Sequence, residues 1–203
     1  MADYNSIAEK IIALKDADLA LRDKLIATVQ LGNGYNDEMA SLHNSNAKAL
    51  ADIMNTIGYP TIDKVGKQAS EAAWLVIQHA IGQPQFMRKS ATLLASAVKE
   101  NKADLINLAY LTDRIATLEE KPQLYGTQFD WNEKRELSPA PFDSLIKVNE
   151  RRKALGLNTL EEQTEYMRNQ VKNENQSPPQ DFEQRKREME DWKVKVGWIK
   201  YSK

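Results

Sequence analysis

The sequence contains no cysteine. Disulfides, thiolate nucleophiles, and cysteine-ligated zinc or iron–sulfur clusters are therefore excluded. Histidine is nearly as scarce, with His43 and His79 alone among 203 residues. No window approaches the roughly 18 apolar residues of a membrane span. The first fifteen residues carry an acid at position 3 and no apolar run leading to a small-residue cleavage site, so they do not read as a signal peptide. Charge of one sign is also missing: 28% of residues are charged, yet the net charge is -1. A dedicated nucleic-acid binder needs a basic face to displace phosphate counterions. The G-x-G-x-x-G, P-loop, G-x-S-x-G and HExxH signatures are absent. The expectation is a cytoplasmic protein with no nucleic-acid partner, no membrane segment and no cofactor.

What is present is helical periodicity. With 41% apolar residues the chain can build a real core. Ile7, Ile11, Leu14, Ala17, Leu21, Leu25 and Val29 recur at helical spacing over about 5–31, with Ser6 and Glu9 as a capping box. "GNGYN" (32–36) breaks this helix. A second runs over about 37–57 with Met39, Leu42, Leu50, Ile53, Met54 and Ile57 inward, and "GYPT" ends it, Pro60 forbidding continuation. Thr61 can cap a third helix, about 62–81, whose "AAWLVIQHA" is apolar nearly all round and reads as central. Helices over about 84–100 and 103–119 follow. From Lys121 the period changes, and "QLYGTQFDW" reads as a strand of a small hairpin near 123–138. Helices then span about 144–155 and, behind a Thr159–Glu162 capping box, about 159–172. The predicted fold class is mainly α: a helical domain of six to eight helices over 1–174, a linker at 175–180, and a C-terminal appendage over 181–203. The appendage reads as helix to about Trp192 and extended beyond, and it is the expected contact for any homo-oligomer.

"GYPT", "QHA", "LTDR", "QLYGTQ" and "VNERRKALGL", in this order over about 40–165, resemble an uncharacterised bacterial family built on a domain of unknown function, DUF6624. Each motif is weak alone; the conserved order of the five in one chain carries the likeness. Tyr59 stands where the family has Trp, and Asn149 where it often has an acid, which weakens position 149 as a charge partner. The resemblance implies no reaction. It implies that the motifs converge on one polar pocket, with Gln78 and His79 from the central helix, Asp113 and Arg114 from a later one, and 123–128 across the mouth.

The residues themselves allow several chemistries. His79 can act as a general base, since imidazole titrates near neutrality, or as a buried hydrogen-bonded histidine. Asp113 shares a helix face with Ile106, Ala109 and Ala116, and an inward carboxylate needs a partner. That partner could be His79, which it would orient for catalysis, or Arg151 or Arg152. His43, His79 and Asp113 would make a facial metal set, but no HxxxH or HxxE spacing supports it, and no metal is expected. Gln123, Tyr125, Thr127 and Gln128 offer amides, a phenol and a hydroxyl around Gly126, which suits ligand recognition better than covalent chemistry. One of Arg151 and Arg152 should face inward, where Arg152 could bind a carboxylate or phosphate. Three functions fit: a small-molecule or peptide binding domain, a hydrolase or transferase with His79 as base and Asp113 orienting it, or a structural, partner-binding protein.

Overall fold

A computed structural model describes residues 3–28, 36–174 and 176–200. Among these residues there are eight helices and one two-stranded antiparallel hairpin, a mainly α fold. The chain divides into two compact units, residues 1–107 and 108–203. No helix of the described residues is long and apolar enough to cross a membrane.

The first unit contains α1 (Tyr4–Ala27), α2 (Asp37–Ile57), α3 (Ile62–His79), α4 (Pro84–Lys99) and the start of α5 (Leu105–Leu118). The cap of α1 is Asp3, whose carboxylate accepts from Ser6 N–H, rather than the Ser6–Glu9 box. An aspartate one turn earlier satisfies the same orphan amide and favours the helix dipole. The expected run to Leu31 and the "GNGYN" break lie outside the described residues except for Asn36, which caps α2 by accepting from Glu38 and Met39 N–H. The α3 helix packs on α1, α2 and α4, the central position its apolar run predicts. It kinks at Gly66, with φ 77° and ψ 163°, a conformation essentially reserved for glycine. Ile11, Leu25, Leu50, Ile77, Met87 and Leu94 are fully buried here. Each such side chain contributes about 1.5–3 kcal/mol relative to exposure.

The second unit contains the rest of α5, the strands β1 (Phe129–Trp131) and β2 (Leu137–Pro139), and the helices α6 (Leu145–Ala154), α7 (Leu160–Asn173) and α8 (Phe182–Val196). The hairpin pairs Phe129 with Pro139 and Trp131 with Leu137. Its turn is built by Asn132, whose side-chain oxygen accepts from Lys134 and Glu136 N–H. The α7 helix packs on β2, where Arg168 Nε donates to the Leu137 carbonyl at 2.8 Å. The expected Thr159–Glu162 capping box is present at its start. Two expectations are corrected here. Residues 123–128 are a loop and not part of β1, because the amides of Leu124, Tyr125 and Thr127 turn toward the Asp113 carboxylate, while Gln123 makes a single bridge to Phe142. The tail stays helical to Val196 and stops at Gly197 in the left-handed conformation, so Val194 and Val196 lie on a helix despite their alternation with lysines.

Candidate functional site

In α1 the buried residues are Ile11, Asp18 and Leu25. They are seven apart, so they share one stripe, and its middle member is an acid. Asn46 on α2 sets the register against α1: its Nδ2 donates to the Leu14 carbonyl at 3.0 Å. Leu14 lies one turn before Asp18, and Asn46 one turn after His43, so this bond brings the carboxylate beside the imidazole. His79, the last residue of α3, arrives from the third side.

The three groups meet closely. His79 Nδ1 is 2.8 Å from Asp18 Oδ2, and His43 Nε2 is 3.3 Å from the same oxygen. The two imidazole centroids are 5.1 Å apart, with the rings inclined at 39°. Asp18 and His43 are buried, whereas the His79 side chain is 31% exposed. Burial alone would raise the Asp18 carboxyl. Hydrogen bonds from His43 and His79, with their positive charge when protonated, outweigh it and hold the group well below the ordinary carboxylate range. An ionised carboxylate only accepts, so in this contact His79 Nδ1 is the donor, and an ion bound at Nδ1 would displace that hydrogen. The other carboxylate oxygen, Asp18 Oδ1, is buried with no hydrogen-bond partner among the described residues. Such an atom calls for an explanation.

A pH dependence follows. The folded-state pKa of Asp18 lies below its unfolded value of about 3.9. Its contribution to stability is therefore fully present above about pH 4 and is lost as pH falls toward the folded value. Acid unfolding of Asp18→Asn, followed by circular dichroism, should show a shallower loss of stability between pH 5 and 2 than the unsubstituted chain.

Asp113 has different partners from those expected. Its Oδ1 accepts from Leu124 and Tyr125 N–H at 2.8 and 3.1 Å, and its Oδ2 from Tyr125 and Thr127 N–H and the Thr127 hydroxyl at 3.0–3.1 Å. The carboxylate that meets His79 is thus Asp18, and Asp113 is the organiser of the 123–128 loop. Gln123 completes that loop. It is fully buried, donates to the Gln128 and Ala140 carbonyls at 3.0 and 2.8 Å, and accepts from Gln128 N–H at 2.7 Å. Gln128 donates to Thr127 Oγ1. Gly126 has φ 64°, and a Cβ there would stand 2.6 Å from Leu160 Cδ1, so neither conformation nor space admits a side chain.

Of the two arginines, Arg152 faces inward and Arg151 is 30% exposed. Arg152 donates to the Tyr125 carbonyl and to the carbonyl and side chain of Asn158. Arg151 is held bidentately by Asp143, and this bond pulls the Asp143 carboxyl down to about 2. Arg114 is half-buried, and burial lowers its guanidinium below the usual range. Gln78 is buried. Gln78 and His79 belong to the first unit, whereas Asp113, Arg114, Arg152 and 123–128 belong to the second. Within its own unit, each of Asp113, Gln123, Thr127 and Arg152 has its polar atoms engaged by protein partners.

A family profile described as "Family of unknown function (DUF6624)" matches residues 5–172. The chain belongs to the DUF6624 family. The match takes in all three members of the Asp18–His43–His79 cluster and the Asp113 loop of this DUF6624 chain, and ends before α8. No curated protein and no solved structure matches it.

Sequence reasoning found His43 and His79 but missed Asp18. The signal was there: an acid in an apolar stripe, seven residues from Ile11 and seven from Leu25. A charge at that position needs a partner from another helix.

Proposed function

We propose that the first unit holds a divalent transition-metal ion between Asp18, His43 and His79 and uses it to activate water for hydrolysis. One observation carries the reading. Three helices each contribute one ligand-type side chain, and the three ligand atoms lie within 4.8 Å of one another. Atoms bound about 2.0–2.2 Å from one ion stand roughly 3.0–3.5 Å apart. Of the two measured pairs, 3.3 Å falls within that spacing and 2.8 Å lies just below it. Two imidazoles and one carboxylate suit first-row ions such as Zn²⁺, Fe²⁺, Co²⁺ or Mn²⁺.

The ligand number supports catalysis over a structural role. Structural zinc sites close with four protein ligands, whereas catalytic sites keep three and leave a position for water. His79 is the solvent-facing member, so water and substrate would approach from its side. A bound ion lowers the pKa of its water toward neutrality. That supplies the nucleophile that a chain without cysteine and without a serine-hydrolase motif otherwise lacks. At 123–128 the side chains of Gln123 and Thr127 are engaged within the loop and by Asp113, which favours the metal reading over ligand binding there.

The test is a titration with Co²⁺. One ion should bind per chain, with visible d–d absorption, and His43→Ala should abolish uptake at the same concentrations. No uptake, or uptake indifferent to His43, contradicts the reading.

The 2.8 Å bond to Asp18 favours a second reading, in which His79 is a metal-free general base oriented by Asp18. It would leave Nε2 as the proton acceptor, and the hydrolysis would be insensitive to chelators.

A further inference from the structure

Beside the two histidines lies a polar contact that neither the metal nor the core accounts for. Asn44 follows His43 on α2. Its side-chain oxygen accepts from Gln83 Nε2 at 3.0 Å. Gln83 lies in the four-residue connection between His79 and Pro84, the first residue of α4. That connection is tightly wound: Ile81 N–H donates to the His79 carbonyl at 2.8 Å, and Gln83 N–H donates to the Ala80 carbonyl at 2.9 Å. Between them, Gly82 lies so close to α2 that a Cβ would stand 2.8 Å from Asn44 Oδ1. The amide pair thus fastens the turn that ends α3 onto α2, next to the residue that carries His43.

We propose that Asn44 and Gln83 are positioning residues for the metal centre, holding the turn that follows His79 against the part of α2 that carries His43. The inference rests on the metal reading of that site. His79 is the last residue of its helix, so the place of its imidazole depends on the turn that follows. Without an anchor, the turn can drift from α2 and carry the imidazole with it. The anchor is an amide pair that leaves the lone pairs of both histidines untouched. Gly82 adds to this, since its missing side chain is what allows Asn44 to reach Gln83.

Three variants test the proposal with Co²⁺ as the probe: Asn44→Ala, Gln83→Ala and Gly82→Ala. The last removes neither partner and acts only by displacing the Asn44 oxygen. Each is expected to weaken Co²⁺ binding by roughly 10–100-fold, the range typical of outer-sphere partners, and to alter the visible band of the bound ion. The double variant Asn44→Ala/Gln83→Ala should be no worse than either single one, because both remove the same bond. The thermal midpoint of the metal-free protein should move by only a few degrees in each case. Affinities within threefold of the unsubstituted chain, with an unchanged band, overturn the proposal and leave the metal reading standing. Failure of the unsubstituted chain to take up Co²⁺ overturns both.

Discussion

Asp113→Ala is expected to destabilise the second unit by about 3–5 kcal/mol, because several buried donors lose their one charged acceptor together. The carboxylate is fully buried and is the shared acceptor for three backbone amides and one hydroxyl. Alanine leaves those donors facing a void. A hydrogen bond to a charged acceptor contributes about 1.5–3 kcal/mol, and the losses are not additive because they share one group. The loop cannot simply relax, since Gln123 ties its two ends together and Gly126 is fixed against Leu160. Asp113→Asn should cost less, because it retains one acceptor oxygen, but it turns an NH₂ group toward donors. Urea unfolding followed by tryptophan fluorescence reads this unit, as Trp131, Trp192 and Trp198 lie in it and Trp74 lies in the other. A loss below about 1 kcal/mol would show that the network is not what orders the loop.

Asp18→Asn is expected to lower divalent-metal affinity by more than about 100-fold, beyond what outer-sphere changes produce. The substitution preserves volume and hydrogen-bonding shape. It removes the negative charge that both imidazoles now share. In the unsubstituted chain, metal at a hundred times its Kd should stabilise the first unit by about 2.7 kcal/mol through linkage. The asparagine variant should show almost none of that gain at the same concentration, measured as the rise in thermal midpoint. An equal rise in both proteins would place the ion elsewhere.

Much of the helical framework was legible because it follows from local rules. The 3.6-residue period, Pro60 after α2, Pro84 at the start of α4 and the Thr159–Glu162 box each mark an element within a few residues. The failures came where tertiary partners override local pattern. Residues 123–128 alternate like a strand, but Asp113, ten or more residues earlier in the chain, claims the amides of Leu124, Tyr125 and Thr127. The lysines and valines after Trp192 also alternate, yet the helix continues until Gly197 supplies a left-handed stop. The candidate site was half-legible. His43 and His79 stood out by rarity, but a carboxylate among twenty-nine acidic residues does not. Only its place on the stripe between Ile11 and Leu25 sets Asp18 apart, and its partners are 25 and 61 residues away in sequence. No spacing motif such as HxxxH arises, because each ligand comes from a different helix.

The most direct measurement is an anomalous-difference map from crystals of the full chain soaked in Zn²⁺ and recorded at the zinc edge. The account predicts one strong peak within bonding distance of an Asp18 carboxylate oxygen, His43 Nε2 and His79 Nδ1. A crystal that takes up zinc at other residues, with this trio still joined only by its own hydrogen bonds, would contradict it.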